Sequence, residues 1–436
     1  MALGGGTFQT QNKVLPGAYI NFVSINRASA VLSDRGTVAV PLSLDWGPEG
    51  EVFEVEGSDF YKNSENIFGY GYSELKMRNL RELFKHTKKA VCYRLGIDGV
   101  KASNVYAEAK YPGVRGNDIT ISVQSSIDNE GYSIVKTLLD GKVKDTQTVQ
   151  NANDLKENDW VVFKAQESLA VTSGAALSGG KNSTTTGEDY QSFLNKLETY
   201  SFNILCCTSN DDLTKGLFTA FTKRMREDVG VKFQTVLYKY ESADDIGVIS
   251  VENKVTNADA DEQDLVYWVS GAEAECMVNR SLSNMEYDGE LSVNVEYTQN
   301  QLIDALNGGK FIFHRSNNLV RVLSDINTLV NTTQTTGKDF KDNQTVRIAD
   351  QIANDVAVLF GEKYYGKINN DESGRIALKS DILYILKALF ELGALESVGD
   401  DAIVVNQGES KKSVAVDMSI NTISAIGQLY MQVNVG

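Results

Sequence analysis

The chain has 436 residues, of which 42% are hydrophobic and 23% charged, and its formal net charge at pH 7 is -16. This hydrophobic content is typical of folded proteins and excludes a disordered chain, and the length predicts two or three domains. No apolar run approaches the roughly 20 residues that cross a bilayer, so we expect no membrane insertion. The first residues lack the basic and apolar regions of a signal peptide, so we expect synthesis and first use in a cytosol.

The acidity is concentrated in one segment. Residues 241–300 contain 14 Asp and Glu against only Lys254 and Arg280, a balance of -12. Such a surface is a poor partner for a nucleic-acid backbone, and we expect no direct nucleic-acid binding. Two interpretations stay open: a solvated face that keeps a large assembly soluble, or a face that meets a basic partner.

The sequence pattern of the N-terminal region predicts a mixture of strands and helices. A strand-like run, 18–23, follows Pro16 and Gly17, and 37–42 predicts a second strand. Residues 73–85 predict a helix, because their apolar side chains recur at spacings of three and four.

Residues 106–171 predict an inserted all-β module. Short alternating runs at 119–123, 132–138, 143–149 and 160–165 are separated by turn signals rich in Asp, Asn and Gly. The stretch 173–187, rich in Gly, Ser and Thr, is predicted to be the linker that leaves the module.

After this stretch the α/β pattern returns, which is expected when a sheet resumes after an insertion. Two long helices are predicted near the C-terminus, at 343–360 and at 375–392, the second ending at Gly393 as a natural cap. The remaining predicted elements are helices at 190–200 and 213–226 and strands at 202–207, 231–237 and 245–251.

The C-terminal end has the pattern of β-strands. Apolar residues alternate with others over 414–420 and again over 429–435. A strand whose backbone groups lack a partner is a template for pairing with another chain. Two interpretations remain open, because a period of two does not show whether these strands and 18–23 close the chain's own sheet or join a neighbour's.

Residues suited to catalysis or metal binding are few. The four cysteines lack metal-ligand spacing and are predicted to be buried thiols, and His86 and His314 are the only histidines. Residues 174–183 approach a phosphate-binding loop, but an extra Gly displaces Lys181 and Asn182 replaces the Ser or Thr that contacts magnesium. The acidic stretch 259–264 lacks the Gly and Glu of a calcium loop. We therefore predict no catalytic, cofactor or metal site.

Several short motifs, in one order along nearly the whole chain, resemble contractile tail sheath proteins of myophages and phage-tail-like bacteriocins. One departure is Glu275-Cys276, where that family has a small residue. The motifs are NKVLPGAYINF (12–22), RGTVAVP (35–41), WGP (46–48), YPGVRGNDI (111–119), LSGG (177–180), SGAEA (270–274), NRSLS (279–283), DINTL (325–329), YGKINN (365–370) and GR (374–375).

We predict a multidomain protein of the α+β or α/β class. The resemblance implies a discontinuous α/β core with an inserted all-β domain and extended N- and C-terminal strand arms. The expected divisions are an N-terminal arm (1–25), a first core segment (26–104), the inserted domain (105–175), a second core segment (176–335), a C-terminal helical region (336–412) and a C-terminal arm (413–436).

The resemblance further implies a structural, non-enzymatic subunit. Stacked rings of copies would form a helical homo-oligomer around a tail tube protein, with baseplate and tail terminator proteins as further partners. Each subunit would lend its arms to neighbours by adding strands to their sheets. Assembly is expected in the host cytoplasm, and the final location is a virion or bacteriocin particle tail. The alternatives are a tail tube or baseplate protein and a cytosolic nucleotide-binding enzyme.

The resemblance and the strand patterns together select two sets of residues. The arm residues are Pro16, Gly17, Tyr19, Ile20, Phe22, Val414, Val416, Met418, Ile420, Leu429, Met431, Val433 and Val435. For the tube contact, helices 343–360 and 375–392 are candidates, with Arg347, Asp350 and Asp355 on the polar face of the first. We favour the second helix, through Arg375, Lys379 and Lys387.

Overall fold

The computed structural model describes residues 32–165 and 169–435. These residues form two compact units. The core unit comprises the described residues of Ser33–Asn354 and Leu389–Ser397 together with the chain from Ile420. The C-terminal unit comprises Asp355–Ala388 and Val398–Ser419.

The elements alternate between helices and strands, with a run of strands between β4 and β9. The strands are β1 (Thr37–Leu42), β2 (Val52–Glu56), β3 (Lys89–Arg94), β4 (Ala107–Ala109), β5 (Ile119–Ser125), β6 (Ser133–Leu139), β7 (Lys142–Val149), β8 (Val161–Phe163), β9 (Thr172–Ala176), β10 (Ile204–Cys206), β11 (Gln234–Tyr238), β12 (Val248–Val251), β13 (Lys310–Phe311), β14 (Phe313–Ser316), β15 (Leu319–Val322), β16 (Ile403–Gln407) and β17 (Val414–Met418). The helices are α1 (Gly57–Phe68), α2 (Arg78–Phe84), α3 (Gly187–Leu197), α4 (Asp212–Arg224), α5 (Leu265–Glu275), α6 (Gln299–Asn307), α7 (Asn343–Leu359) and α8 (Glu372–Glu391).

A seven-stranded sheet in the order β13-β12-β11-β10-β1-β3-β2 runs through the core unit. Its neighbouring strands are parallel except for the edge pair β2 and β3. Strand β1 is buried on both faces after its first residue, as a parallel sheet covered on two sides requires. The predicted strand 37–42 is confirmed.

Helices cover both faces of this sheet. Val38 and Val40 of β1 join an apolar core with α2 and α5, whereas Ala39 joins the core formed with α3 and α4. Helix α5 is buried from Leu265 through Ala274. Its composition gives it no polar face, which explains why the spacing of apolar residues does not predict it.

The inserted β module has a core of its own. The antiparallel sheet β7-β6-β5-β9 and the pair β4-β8 enclose Trp160 together with Trp46 from the core chain, whose ring centroids lie 5.3 Å apart. The predicted linker 173–187 is wrong at its start, because Thr172–Ala176 pairs with β5 as an edge strand. The small residues of this strand carry no hydrophobic alternation by which to recognise it.

The C-terminal unit contains the end of α7, a π-helical turn at Phe360–Tyr364, most of α8 and the hairpin β16-β17. Helix α8 ends as predicted, with Gly393 in the left-handed conformation at φ 78°. The predicted N-terminal strand 18–23 lies outside the described residues.

Candidate assembly surfaces

The hairpin of the C-terminal unit offers two strand edges. Strands β16 and β17 pair antiparallel, with Val405 opposite Val416. Within the described part of the chain this sheet has only these two strands, so each outer edge presents backbone groups without a ladder partner. Val404 and Val416 are 49% and 43% exposed. Such a hairpin can accept a further strand on either side.

This pairing divides the predicted C-terminal arm. Val414, Val416 and Met418 lie in β17 and pair with β16 of the same chain, and Ile420 lies two residues beyond the strand. We therefore predict that only the second run, 429–435, is a strand lent to a neighbour. This division has a local cause: two adjacent strands joined by a short turn form a hairpin within one chain.

The second run is exposed along its whole length. Backbone bonds attach the chain to the core unit at Glu396–Asn421 and Ile423–Ala394. Beyond Ala425 no backbone hydrogen bond to the rest of the described chain is formed. Large apolar side chains are then left in water: Leu429 (83% exposed), Met431 (76%), Val433 (68%) and Val435 (92%). Four large exposed apolar side chains that alternate along one segment indicate a surface that another protein covers.

The N-terminal arm residues Pro16, Gly17, Tyr19, Ile20 and Phe22 lie outside the described residues. Their role as inter-subunit strand residues remains a prediction from sequence.

The favoured helix presents a mixed face. Lys379 and Lys387 border a shallow depression of about 390 Å³ on α8, together with Ile376 and Tyr384, which are 58% and 56% exposed. Lys387 lies 3.9 Å from Asp400, a highly exposed partner. The two apolar residues were not predicted from sequence, although their spacing of eight places them on one helical face with both lysines.

The third predicted residue, Arg375, is separate from this face. It is half-buried and its Nη1 donates to Oδ1 of Asn370 at 3.0 Å, lining a different cavity of the C-terminal unit. The structure therefore brings Lys379 and Lys387 together and leaves Arg375 apart.

The predicted polar residues of the alternative helix, α7, are buried and not exposed. Arg347, Asp350 and Asp355 are 2%, 8% and 6% exposed. Asp350 receives two bonds from the Arg226 guanidinium, at 2.6 and 2.8 Å. The predicted polar face of α7 is therefore a buried face, because partners distant in sequence pair with it.

Arg347 is the centre of a buried ionic cluster. Its Nη2 lies 2.6 Å from Oε2 of Glu273 and 3.2 Å from Oδ2 of Asp325, and Asn343 donates to Oδ1 of Asp325 at 2.8 Å. Burial raises the pKa of Glu273 well above its ordinary value. Burial also opposes ionisation of Asp325, but Arg347 and the hydrogen bonds around that carboxylate lower its pKa below the ordinary value. The two acids therefore differ in environment: burial favours the neutral form of Glu273, whereas Arg347 favours the charged form of Asp325.

The acidic segment 241–300 is paired largely with basic side chains of the same chain. Arg81 of α2 forms a two-bond pair with Glu290 at 2.6 and 2.7 Å, and His86 lies 2.8 Å from Glu275. Further pairs join Arg78 to Asp259, Lys85 to Asp288, Arg321 to Glu286 and Arg315 to Glu296. The charge imbalance of this segment in the sequence is therefore much reduced on the folded surface.

Residues 174–183, which approach a phosphate-binding loop in sequence, use their backbone amides in other hydrogen bonds. The amide of Gly180 donates to Oδ1 of Asn117 at 2.8 Å, and that of Lys181 donates to the Val100 carbonyl at 3.0 Å. Helix α3 begins only at Gly187, so this loop does not lead directly into a helix N-terminus as a phosphate-binding loop does.

In the described ranges, no three His, Cys, Asp or Glu side chains are placed to hold a metal ion. Cys92, Cys206, Cys207 and Cys276 are buried free thiols, as predicted. None of the helices that the structure describes is both long and apolar enough to span a bilayer.

Comparison with known proteins finds phage tail sheath domains along the chain. Family models match at 35–95 (tail sheath protein Gp18 domain III, N-terminal region), 87–182 (phage tail sheath β-sandwich domain), 183–328 (phage tail sheath central domain) and 335–436 (phage tail sheath C-terminal domain).

Whole-length relatives agree with these matches. Phage-like element PBSX protein XkdK of Bacillus subtilis is 31% identical, over 99% of this chain and 100% of its own. The crystal structure of a sheath tail protein from Desulfitobacterium hafniense has a TM-score of 0.84 at 36% identity, covering 94% of this chain and 97% of that one. The contracted helical sheath protein of the anti-feeding prophage shares the fold, with a TM-score of 0.57 at 12% identity over 96% and 98% of the two chains. The chain belongs to the phage tail sheath protein family.

Proposed function

We propose that this protein polymerises as stacked rings around a tail tube in an extended state and contracts to drive the tube through a target cell envelope. The combination of exposed apolar side chains over 429–435 with a hairpin whose two edges are open supports the proposal most directly. The run 429–435 of one copy could supply the additional strand that the open hairpin edges of a neighbour lack.

The joint between copies is strand addition. A neighbour's C-terminal run, and its N-terminal run 18–23, would pair with the outer edges of β16 and β17. Each backbone hydrogen bond contributes about 0.5–1.5 kcal/mol net, so a short added strand gives a joint of several kcal/mol. Because such a joint is a single strand, subunits can reorient while they stay connected.

Contraction needs no nucleotide in this proposal. Two packings of the same subunits differ by a few kcal/mol each, and the difference accumulates over the sleeve. The bonded amides of 174–183 support this, since they leave no phosphate cradle there. The loop 174–183 therefore does not support the alternative of a nucleotide-binding enzyme.

The tube contact is assigned to the exposed face of α8 around Lys379 and Lys387. A contact that must release during contraction should be small and polar, and exposed ion pairs contribute only about 0–1 kcal/mol each. The neighbouring Ile376 and Tyr384 add apolar area that holds the register before release. Baseplate and terminator proteins would cap the two ends of the sleeve, first in the host cytoplasm and then in the particle.

Negative-stain electron microscopy of the purified protein tests the proposal. Wide hollow cylinders are expected, because strand exchange links the copies without any other protein. Thin rods would instead indicate a tube protein, and exclusively single particles at high concentration would count against self-assembly.

A further inference from the structure

A cavity of about 560 Å³ lies in the C-terminal unit. It is bounded by the π-helical turn after α7, by the loop that precedes α8 and by the residues that lead into β17. The rings of Phe360 and Tyr364 stack with centroids 6.4 Å apart and an interplanar angle of 8°. Ile368 and Leu378 complete an apolar wall. Single π turns of this kind are frequent at functional sites.

The rim of the cavity is cationic. Lys367, Arg375, Lys411 and Lys412 line it, and no carboxylate is among the lining residues. In the described part of the chain, none of these four side chains lies within ion-pair distance of an Asp or Glu, unlike the basic residues of α2. Four uncompensated cations around one cavity, on a chain of net charge -16, indicate an anionic partner.

The exchanged arms do not carry the missing charge. Residues 1–33 and 421–435 contain no Asp or Glu side chain. Yet the cavity includes Val414, the first residue of β17, and so adjoins the edge at which an arm is proposed to add. A neighbour held at that edge would bring its own body, and not only its arm, close to the cavity.

We propose that this cavity is a docking site for an exposed segment of a second copy of this chain, one that carries carboxylates beside an apolar side chain. This inference rests on the proposed function. The described residues contain suitable segments, such as Glu227, Asp228 and the 53% exposed Val229, where neither carboxylate forms an ion pair with a described residue. The apolar side chain would occupy the aromatic wall and the carboxylates would meet the cationic rim.

Two variants with equal charge change test the docking. In K411E/K412E the rim loses its complementarity, and the critical concentration for assembly should rise about tenfold, equal to about 1.4 kcal/mol. K196E/K338E reverses two exposed lysines elsewhere that have no described ion pair, and should assemble as the unmodified chain does. Equal behaviour of the two variants would overturn the inference.

A photocrosslink on the otherwise native chain makes the test independent of how the variants fold. Tyr365, 75% exposed and part of the cavity lining, is replaced by p-benzoylphenylalanine and irradiated with and without tube protein. A crosslink between copies, mapped by mass spectrometry to an acidic segment, supports the docking. Crosslinks only to the tube protein, only within one chain or to nothing contradict it. Absence of cylinders from the unmodified chain would count against the proposed function, whereas cylinders without this crosslink would count against the cavity's role alone.

Discussion

At the scale of single residues, the buried cluster around Arg347 shows what the sequence conceals. The helical pattern of α7 places Arg347 and Asp350 on a polar face, and a polar face is normally a solvent face. Here the face is covered, because Glu273 of α5, Asp325 and Arg226 supply partners from distant parts of the chain. Nothing in the sequence around α7 predicts these distant partners. The helix itself is therefore predicted correctly, but the prediction that its polar face is exposed is wrong.

The cluster should be essential to the core unit. Arg347→Met removes the cation that pairs with two fully buried acids, and leaving a buried charge without its partner costs about 3–5 kcal/mol. Arg315→Met is the matched control, because its pair with Glu296 is 60% and 80% exposed. It should cost at most about 1 kcal/mol. Urea unfolding followed by circular dichroism measures both, and similar losses would show that the cluster is not what holds these elements.

At the scale of elements, segments whose apolar residues recur with a helical or strand period were predictable from the sequence. Segments without such a period were not. Strand β1 and helices α2, α4 and α8 were predicted from spacing and end signals. Helix α5 is not predicted by spacing because it is buried on every side from Leu265 through Ala274, and β9 is not predicted because its residues are small. At the candidate tube contact, the two lysines of α8 were predictable but their apolar neighbours were not. The alternating pattern also did not separate β17 from the exposed run, since both alternate equally well.

The face of α8 can be tested by charge reversal. K379E/K387E should leave contracted, tube-free sleeves intact while lowering the yield of extended particles, because only the extended state needs the tube contact. K411E/K412E gives the same charge change from the rim of the neighbouring cavity and separates tube contact from copy-to-copy contact. The ratio of extended to contracted tails in electron micrographs is the measurement. An unchanged ratio in K379E/K387E would remove this helix from the tube interface.

The inserted module is predicted to lie on the outside of the sleeve and to be dispensable for assembly. Val100 and Lys181 pair through backbone bonds of 2.9 and 3.0 Å, so the two chain ends of the module are adjacent. Replacing residues 101–180 by a short Gly/Ser linker, together with Trp46→Ser to avoid exposing that ring, should still give cylinders. Trp46→Ser in the full chain is the control for loss of core stability. A folded core that no longer assembles would make the module an interface.

At the scale of the whole molecule, stability and assembly reside in different segments of the subunit. The seven-stranded sheet and its helices bury the core without the residues beyond 428. Those residues bury almost nothing in the single chain, since even their apolar side chains are largely exposed. Assembly should therefore be separable from folding.

Truncation before Leu429 tests this separation most directly. Circular dichroism reports whether the truncated chain folds, and negative-stain microscopy reports whether it forms cylinders. A control with Gln432→Ser and Asn434→Ser keeps the strand length and the apolar side chains, and should assemble. We expect a truncated chain with a native spectrum and unchanged thermal unfolding that forms no cylinders. A truncated chain that unfolds, or that still builds cylinders, would contradict the separation of folding from assembly.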